Sequence, residues 1–363
     1  MKDIFIASSA HPWNDPRVFL KEARSLAKKY SVELHAPADF KYKKVDNVHV
    51  YGLPQWRLVK DRKLSRKIIF QRAIRKRNFI FHFHDPELIP LAIILKLFRQ
   101  AKIIYDIHED VPRQILTKPY INKKIIKPIS MIFEMFEAIT SYLMDALIVT
   151  TIEIFNRFRV RNIDIIRNYP LLNDIKFHDD WEKKKNEIVY IGVVFKLRGT
   201  LEILKAISKL DVRFNLAGKI YPESFKTELI NSEGWNKTKY WGFINREQIN
   251  NLLSRSKIGM VILRPDKCYM EILPVKMFEY MIAGLPIIAS KFPKIESIIN
   301  KHHCGICVDP MNIGAIQNAI TYLMDNPMVC KEMGENGRRA VLNEYNWKNE
   351  EKKLFKLYKV LMS

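Results

Sequence analysis

Short apolar runs alternate with segments of helical periodicity along the whole chain. Each run has the length of a buried strand, and the segment after it carries apolar residues at helical spacing. In the first part of the chain, helix starts are marked by an acidic N-cap followed by a proline at the first helical position. Strands alternating with helices predict a parallel sheet with helices on both faces, whose ligand site lies beyond the carboxyl ends of the strands. The strands are predicted at residues 3–8, 79–84 and 102–107, and the helix starts at Asp15-Pro16 and Asp85-Pro86.

A second series of the same kind follows Asn168-Tyr169-Pro170 and the charged tract at residues 179–186, which we interpret as the linker. The fold class is therefore α/β, with two doubly wound domains in tandem. Such a pair leaves a cleft in which two substrates can meet away from water. The strands of the second domain are predicted at residues 187–191, 212–217, 257–263 and 286–290, with a helix that starts at Arg198-Gly199.

The size and composition of the chain agree with two domains. Its 363 residues, 48% of them hydrophobic, exceed what one core usually serves and leave room for two. No stretch approaches the ~20 uncharged apolar residues that cross a bilayer. The first residues also lack the basic region, apolar run and cleavage site of a signal peptide. We therefore expect the protein to stay in the cytoplasm.

The four cysteines are too few for a disulfide scaffold in a chain of this length. Cys304 and Cys307 have the spacing of a metal or redox pair and follow two histidines. A second pair with zinc spacing is missing, so a turn followed by a buried strand is the favoured interpretation.

The net charge of +22, from 61 basic and 39 acidic residues, must be solvated or matched by anionic partners. Basic residues concentrate at residues 57–77, where apolar residues interrupt them. This pattern is typical of a basic helix lying on anionic lipid headgroups, and equally of a core-packing helix with a solvated basic face. A second basic patch at residues 118–127 precedes an apolar segment at 129–136. Nucleic acid is disfavoured because no recognition signature is present.

Two carboxylates, Glu271 and Glu279, stand seven residues apart around a helix that Pro274 can open and Gly284 can close. Glu271 falls in the loop before that helix and Glu279 more than a turn inside it, so they point at different parts of one extended ligand. The amides at the helix start provide a seat for a phosphate, and Lys276 in the first turn adds positive charge.

The Glu-x7-Glu segment and its surroundings resemble the donor-site signature of family 4 retaining glycosyltransferases, which have the two-domain GT-B fold. The resemblance covers nearly the whole chain, and its ordered set of segments is far more specific than the two glutamates alone. Besides that segment, the set consists of Trp13-Asn14-Asp15-Pro16-Arg17-Val18, His84-Asp85-Pro86-Glu87-Leu88, Tyr105-Asp106-Ile107-His108-Glu109-Asp110, Tyr190-Ile191-Gly192, Arg198-Gly199, and Cys304-Gly305-Ile306 with Val308-Asp309-Pro310.

The resemblance implies a role for each matching residue. Glu271 would face the donor sugar hydroxyls, and Glu279 would hold the ribose hydroxyls through charge-assisted hydrogen bonds. His108 matches the histidine that approaches the reacting carbon, and Arg198 matches a cation that neutralises the diphosphate. Further donor contacts are assigned to Gly192, Pro274, Val275 and Lys276.

The sequence departs from the family at the phosphate clamp. Many members carry a second arginine just after the strand glycine, where this chain has Val193. Lys196, Arg264 and Lys276 are the candidates to replace its charge.

Three residues of the first domain are assigned to an acceptor or phosphate loop. Asp15 is expected to cap a helix, and Arg17 behind it to point into the region where phosphates bind. His84 is expected to have a structural or acceptor-loop role at a strand end rather than a catalytic one. Asp85, Asp106, Glu109 and Asp110 are candidate helix caps.

The predicted protein is a GT-B enzyme. Residues 1–168 would bind the acceptor, residues 169–345 the nucleotide sugar, and residues 346–363 would form a helix that returns to the first domain. The predicted reaction is retaining transfer from a nucleotide diphosphate sugar, with UDP preferred, to a saccharide or lipid-linked saccharide in polysaccharide or lipopolysaccharide assembly. No cofactor and no metal is expected. We expect the protein to dock on the inner face of the cytoplasmic membrane. The alternatives are a non-catalytic sugar-nucleotide-binding module and a GT-B sugar-nucleotide epimerase.

Overall fold

The computed structural model describes residues 3–55, 59–116, 121–177 and 180–362, except for the side chains of Val59, Lys267 and Cys268. The chain divides into two compact units. Unit 1 consists of Met1–Asn168 with Trp347–Ser363, and unit 2 of Tyr169–Asn346.

Unit 1 contains one sheet with the strand order β3-β4-β2-β1-β5-β6-β7-β8 in the described residues. Neighbouring strands are parallel except for the β3–β4 pair at the edge. The central strands are buried on both faces, which explains their continuous apolar sequences. The strands are β1 Ile4–Ala7, β2 Val32–Pro37, β3 Tyr42–Val45, β4 Val48–Leu53, β5 Ile80–Phe83, β6 Lys102–Ile107, β7 Ala146–Val149 and β8 Ile163–Ile165.

Helices lie between these strands, and the helix at the end of the chain also packs in unit 1. Trp347 donates its indole N–H to Ser25 Oγ across 2.9 Å, which fixes the start of that last helix. The helices are a π-helix Pro16–Ala23, α1 Arg24–Leu26, α2 Val59–Ala73, a 3-10 helix Pro86–Leu88, α3 Ile89–Arg99, α4 Val111–Ile115, α5 Lys123–Ser141, α6 Ile152–Phe155 and α15 Trp347–Met362.

Unit 2 contains a second sheet, whose described strands are all parallel and follow the order β11-β10-β9-β12-β13-β14. The order reverses between β9 and β12, and a ligand site is expected outside the carboxyl ends of strands at such a point. The strands are β9 Glu187–Ile191, β10 Arg213–Ala217, β11 Thr238–Gly242, β12 Ile258–Val261, β13 Ile287–Ser290 and β14 Gly305–Val308.

Eight α-helices of the described part of unit 2 accompany these strands. They are α7 Thr200–Ile207, α8 Glu223–Ile230, α9 Arg246–Arg255, α10 Lys267–Met270, α11 Val275–Ile282, α12 Pro293–His302, α13 Ile313–Asp325 and α14 Pro327–Asn343. Short 3-10 helices occur at Leu172–Asp174, Trp181–Lys183, Lys196–Arg198 and Trp235–Lys237.

The charged tract at residues 179–186 was expected to be a linker, and the structure differs, although Asp179 lies outside the described residues. Lys184 is buried in unit 2 and donates to the carbonyls of Leu253, Ser254 and Ser256. Burial lowers the pKa of this lysine to about 8. The tract is therefore part of the packing of unit 2, because three backbone acceptors satisfy the buried ammonium.

The segment with two cysteines forms a turn and then β14, as expected, although the strand was expected to be buried and only Val308 of it is; the other residues of β14 are half-buried. Burial raises the pKa of Cys304 and of Cys307 to about 12, so both are protonated thiols at neutral pH. Protonated thiols are poor metal ligands.

The basic stretch at residues 57–77 contains α2, which packs Ile69 and Ala73 into unit 1, while Arg57 lies outside the described residues. Several of its cations are paired: Arg62 with Glu87, and Lys76 with Glu33. This agrees with a core-packing helix that has a basic outer face. None of the described helices is long and apolar enough to cross a membrane.

Candidate functional site

The loop after β9 is shaped by glycines. Gly192 follows the strand with φ +128°, and Gly199 precedes α7 with φ +64°, which are left-handed conformations that favour glycine. A Cβ atom on Gly199 would lie 2.6 Å from the carbonyl oxygen of Ile262. The loop therefore lies directly against the end of β12 and presents Arg198 immediately before α7.

Lys276, in the first turn of α11, extends to this loop. Its Nζ lies 3.4 Å from the centroid of the Tyr190 ring. The same atom would be 3.2 Å from a Cβ built on Gly192. Although part of the side chain is exposed, Nζ itself is buried and has no hydrogen-bond partner among the described residues.

Burial lowers the pKa of Lys276 well below its usual value, and the charge of Arg198 lowers it further. Arg198 has its guanidinium carbon 5.0 Å from the Tyr269 ring centroid and 5.3 Å from that of Phe195. Its Nε is also buried without a hydrogen-bond partner in the described part of the chain. Two neighbouring cations with unfilled hydrogen-bonding capacity form a site that fits an anion.

The two other candidates for the phosphate clamp are already engaged. Arg264 donates to Glu202 Oε1 from Nε and Nη2, at 2.9 and 2.6 Å. Lys196 is exposed and lies 3.3 Å from Glu228. Val193 is 55% exposed and contributes no charge. Of Lys196, Arg264 and Lys276, the described contacts leave only Lys276 outside an ion pair.

The two glutamates differ in their surroundings. Glu271 lies in the turn after α10, with its side chain 59% exposed and Oε2 3.2 Å from Lys294 Nζ. Glu279 lies on α11 with 19% of its side chain exposed and accepts a hydrogen bond from Arg246 Nη1 across 2.9 Å. Glu279 also acts on Lys276, since its charge raises the pKa of that lysine.

Pro274 is the N-cap residue of α11, and Val275 is the first residue of the helix, as the sequence predicts. Pro274 donates no hydrogen bond, and no side chain caps this end. The structure therefore brings Gly192, Arg198, Lys276 and Glu279 together, while Arg264 is turned to Glu202 and Glu271 to Lys294.

In unit 1, His108 follows β6 and its side chain is 13% exposed. Its Nε2 lies 3.1 Å from Nε2 of His11, and its Nδ1 lies 3.7 Å from Asp106 Oδ1. His11 in turn lies 3.6 Å from Asp15. Two imidazoles in contact share one hydrogen, which fixes the orientation of the His108 ring.

Asp15 caps the π-helix by accepting from the amides of Arg17 and Val18, which confirms the predicted cap. Asp110 likewise caps α4, but the side chain of Asp85 makes no capping bond and instead accepts from Ser8 Oγ and the Ser9 amide. Asp106 caps nothing, because it lies buried within β6.

Arg17 does not point into a phosphate loop. It is buried, donates to Asp106 Oδ2 from Nε and Nη2, and its Nη1 donates to the carbonyl of Ile166. His84 is also in the interior, with no exposed side-chain surface. Both residues are therefore buried beside Glu22 and Asp106 in the interior of unit 1, away from solvent.

Burial around Arg17 changes several ionisations. It raises the pKa of Glu22 well above its usual value and lowers that of His82 to about 4. Burial also disfavours the charged form of Asp106, but the charge of Arg17 outweighs it and holds the pKa of Asp106 well below its usual value.

Sequence reasoning missed Tyr190, Arg246, His11 and Glu22. Tyr190 belongs to a quoted motif, yet nothing in the motif indicates a cation over its ring. Arg246 and His11 come from segments distant in sequence from their partners, so only the folded chain joins them.

Part of the chain matches a known protein family. Residues 173–340 match the family described as Glycosyl transferases group 1. Over 188 residues the chain is 24% identical to the MMP alpha-(1->4)-mannosyltransferase of Mycolicibacterium hassiacum, covering 50% of this chain and 44% of that protein. The chain thus spans less than half the length of the curated relatives it matches.

Solved structures resemble the chain over its full length. A sucrose-phosphate synthase from Thermosynechococcus elongatus superimposes with a TM-score of 0.76 at 17% identity, over 100% of this chain and 99% of that one. HepE from Anabaena, solved in complex with UDP and glucose, gives 0.74 at 13% identity, over 99% and 100%. The chain has the GT-B fold, and its residues 173–340 match the group 1 glycosyl transferase family.

Proposed function

From a group 1 glycosyl transferase segment within a GT-B fold, we propose that this protein is a retaining glycosyltransferase that uses a nucleotide diphosphate sugar, with UDP as the nucleotide. One observation carries the proposal. Lys276 Nζ and Arg198 Nε are buried nitrogen atoms without hydrogen-bond partners among the described residues, beside the glycine loop that follows β9. A diphosphate supplies the oxygens and the negative charge that both lack.

Four side chains and one glycine of unit 2 form the donor site. Arg198 and Lys276 bind the diphosphate, and the glycine at position 192 allows its oxygens to approach the backbone. Glu279 binds the ribose hydroxyls. When it does so, it either also keeps the hydrogen bond that it accepts from Arg246 or gives that bond up. Glu271 contacts the sugar hydroxyls from the turn before α11. The solved complex of HepE with UDP and glucose supports this choice of donor.

The chemistry explains why cations are needed. As the bond to the diphosphate breaks, negative charge grows on the leaving oxygen, so fixed positive groups stabilise the transition state more than the ground state. Removal of one such group typically costs on the order of 3 kcal/mol. With retention, the acceptor hydroxyl enters on the face that the phosphate leaves and gives its proton to the leaving phosphate oxygen. The transfer itself then requires no metal, because lysine and arginine supply the positive charge.

The role of His108 at the reacting sugar rests on the family resemblance. Its ring is held by His11, with 3.1 Å between the Nε2 atoms, and is still partly exposed. These two properties, orientation and access, support a group that contacts substrate.

We further propose that the acceptor is lipid-linked and that α5 docks on an anionic membrane surface. The inward face of this helix is polar, with Ser130, Glu137, Thr140 and Ser141 buried. Its outward face is apolar, the reverse of an ordinary surface helix. The exposed apolar side chains of α5 are Ile125, Ile129, Met131, Ile132, Met135, Phe136 and Ile139.

Positive charge accompanies this apolar face. Lys123, Lys124 and Lys127, all exposed, occupy the first turns of α5, where they can reach anionic headgroups. Lys118 of the same predicted patch lies outside the described residues. Arg62 of α2 and Lys76 after it pair with Glu87 and Glu33 and contribute less to such a surface, so we choose α5 as the docking helix.

The proposal is tested in two steps. A thermal-shift screen of UDP, GDP and their sugar conjugates identifies the nucleotide, since a ligand at a hundred times its dissociation constant adds roughly 2.7 kcal/mol of stability. Sugar transfer or donor hydrolysis is then measured for the wild type and Glu271→Ala, and the anomeric configuration of the product by NMR. Binding without turnover would favour a non-catalytic module. Conversion of the donor, in the absence of acceptor, into another free sugar nucleotide would favour an epimerase. A product with inverted anomeric configuration would exclude retention.

A further inference from the structure

Four side chains that the proposed reaction does not use lie together in the interior of unit 1. Glu22, His82, His84 and Asp106 have no exposed side-chain surface. One potential ligand atom from each lies within 4.8 Å of all the others. The π-helix Pro16–Ala23 supplies the glutamate, β5 and the residue after it supply the histidines, and β6 supplies the aspartate.

The fold explains this convergence. His82 and His84 alternate along one strand, so both side chains point to the same face of the sheet. Strand β6 pairs with β5 in parallel register, His82 opposite Ile104, which places Asp106 beside His84. The π-helix follows β1, the neighbour of β5 on its other side, and so brings Glu22 over the same place.

Most polar atoms of the cluster lack hydrogen bonds. Among the described residues, no hydrogen-bond partner exists for either oxygen of Glu22, for His82 Nε2, for either ring nitrogen of His84 or for Asp106 Oδ1, although Glu22 Oε1 forms an ion pair with Arg17. Glu22 Oε2 is 3.7 Å from His82 Nε2 and 3.6 Å from His84 Nε2. These distances are too long for hydrogen bonds, which span about 2.7–3.2 Å. They are close to the separation of two ligands on one tetrahedral metal ion, about 3.4 Å for bonds of the usual length.

Neighbouring groups orient the cluster from outside. Tyr358 Oη lies 2.9 Å from His82 Nδ1, which directs Nε2 of that ring toward Glu22 and Asp106. Arg17 donates to Asp106 Oδ2, and its Nε lies 3.1 Å from Glu22 Oε1. Such an outer set of hydrogen bonds is typical of ligands held for a metal.

Two explanations are possible for how the negative charge of the two carboxylates is neutralised. Two carboxylates face one guanidinium, and in the absence of solvent a single proton on Glu22 would neutralise the group. One shared proton, however, pairs only two of the polar atoms that lack partners. A dication contacts one atom of each of the four side chains at once. Hydrogen-bond satisfaction therefore favours the cation.

We propose that Glu22, His82, His84 and Asp106 bind a divalent transition metal in unit 1, with Zn²⁺ the ion that best matches two imidazole nitrogens and two carboxylate oxygens. The site is closed to solvent, so the ion is structural: it joins β5, β6 and the π-helix, and it takes no part in sugar transfer. The inference is independent of the proposed function.

The metal content of the untagged full-length protein from zinc-supplemented culture tests the proposal. We expect about one equivalent of zinc per chain by mass spectrometry, a Tm that falls after dialysis against dipicolinate, and recovery with Zn²⁺ but not with Mg²⁺. Glu22→Gln and His84→Gln, which keep side-chain volume, are expected to retain below about a tenth of an equivalent. Tyr358→Phe is expected to weaken zinc binding about tenfold.

A double variant, Cys304→Ser with Cys307→Ser, is the control, because these two closely spaced cysteines of unit 2 are another candidate ligand pair in the sequence. It should retain the zinc. Loss of zinc in this variant, or retention in both Glu22→Gln and His84→Gln, overturns the assignment. If the wild type carries no stoichiometric metal and its Tm responds to neither chelator nor Zn²⁺, the cluster shares a proton and the metal site is wrong.

Discussion

The side-chain nitrogen of Lys276 lies over the ring of Tyr190, with 3.4 Å between Nζ and the ring centroid. The aromatic face compensates part of the cost of taking this charge out of water. It offers no hydrogen-bond acceptor, however, and Arg198 adds repulsion. The lysine is therefore held in a position that only a bound anion satisfies, and its ionisation should report binding.

Nucleotide binding is expected to take up a proton. The pKa of Lys276 in the free protein is lowered well below 10.5, and a bound diphosphate raises it again. Between these two values the affinity for UDP falls as the pH rises. Calorimetry at pH 8 and above, where the nucleotide phosphates are fully ionised, in buffers of different ionisation enthalpy, measures the uptake. Equal proton uptake in wild type and Lys276→Met would show that Lys276 is already charged when free.

The same lysine should lower the stability of the free protein at neutral pH. Because its pKa is lower in the folded than in the unfolded state, the unfolded chain binds more protons between the folded value and 10.5, and stability rises with pH across that window. The slope is at most about 1.4 kcal/mol per pH unit. Urea unfolding at several pH values should show this slope for the wild type and for the control Lys331→Met, an exposed lysine of α14. Lys276→Met should lack it.

Substitution of Glu279 by Gln is expected to weaken UDP binding. The variant loses charge-assisted hydrogen bonds to the ribose, each worth about 1.5–3 kcal/mol, or roughly 10- to 100-fold in Kd. The measurement is a UDP titration by calorimetry, with Glu296→Gln on α12 as the matched control. An unchanged Kd for Glu279→Gln would mean that this glutamate only holds Arg246.

Gly199→Ala is expected to destabilise the protein far more than Gly242→Ala. Both glycines have φ +64°, but a Cβ on Gly199 would lie 2.5 Å from Ile262 Cγ2, and one on Gly242 meets nothing within 4 Å. The Gly242 variant should lose about 1 kcal/mol, the cost of the left-handed conformation, and the Gly199 variant at least about 3 kcal/mol. Urea unfolding measures both. Equal losses would refute the close contact between the loop and the end of β12.

The outward face of α5 is expected to bind anionic vesicles. Replacement of Met131, Ile132 and Met135 by serine removes three exposed apolar side chains. Each contributes about 1.5–3 kcal/mol when fully buried, so partitioning should fall by at least about 100-fold. Flotation with vesicles containing phosphatidylserine measures this, and a triple variant of Met311, Tyr322 and Met328 in unit 2 is the control. Unchanged flotation of the α5 variant would refute docking through this helix.

Several of the buried strands were predicted from the sequence. Residues 102–107 and 187–191 were predicted as strands, and β6 and β9 have those bounds. A run of apolar residues has to be buried on both faces wherever it lies, so local pattern is enough. Strands such as β3, Tyr42–Val45, carry exposed charged residues and gave no such signal. The π-helical form of Pro16–Ala23 was also missed, because the cap and proline mark where a helix starts and do not determine its hydrogen-bond pattern.

The start of α11 at Val275 and the placement of Glu279 within it followed from Pro274 and Gly284. The sequence did not determine which of the candidate basic residues remains available to bind an anion. Lys196, Arg264 and Lys276 were equal candidates in sequence, and only the folded chain brings Glu228 and Glu202 to the first two. Arg17 was expected near phosphate, yet Asp106, distant in sequence, holds it in the interior.

By itself, the sequence determined the α/β class, the positions of several buried strands and the helix boundaries at proline and glycine, because these depend on local periodicity and backbone sterics. The tertiary structure alone decided which charges are neutralised, which are buried without a partner, and that α5 turns its polar side inward. Those properties depend on distances between residues far apart in the chain, and the energy of a charge is set by the neighbours and solvent that folding gives it.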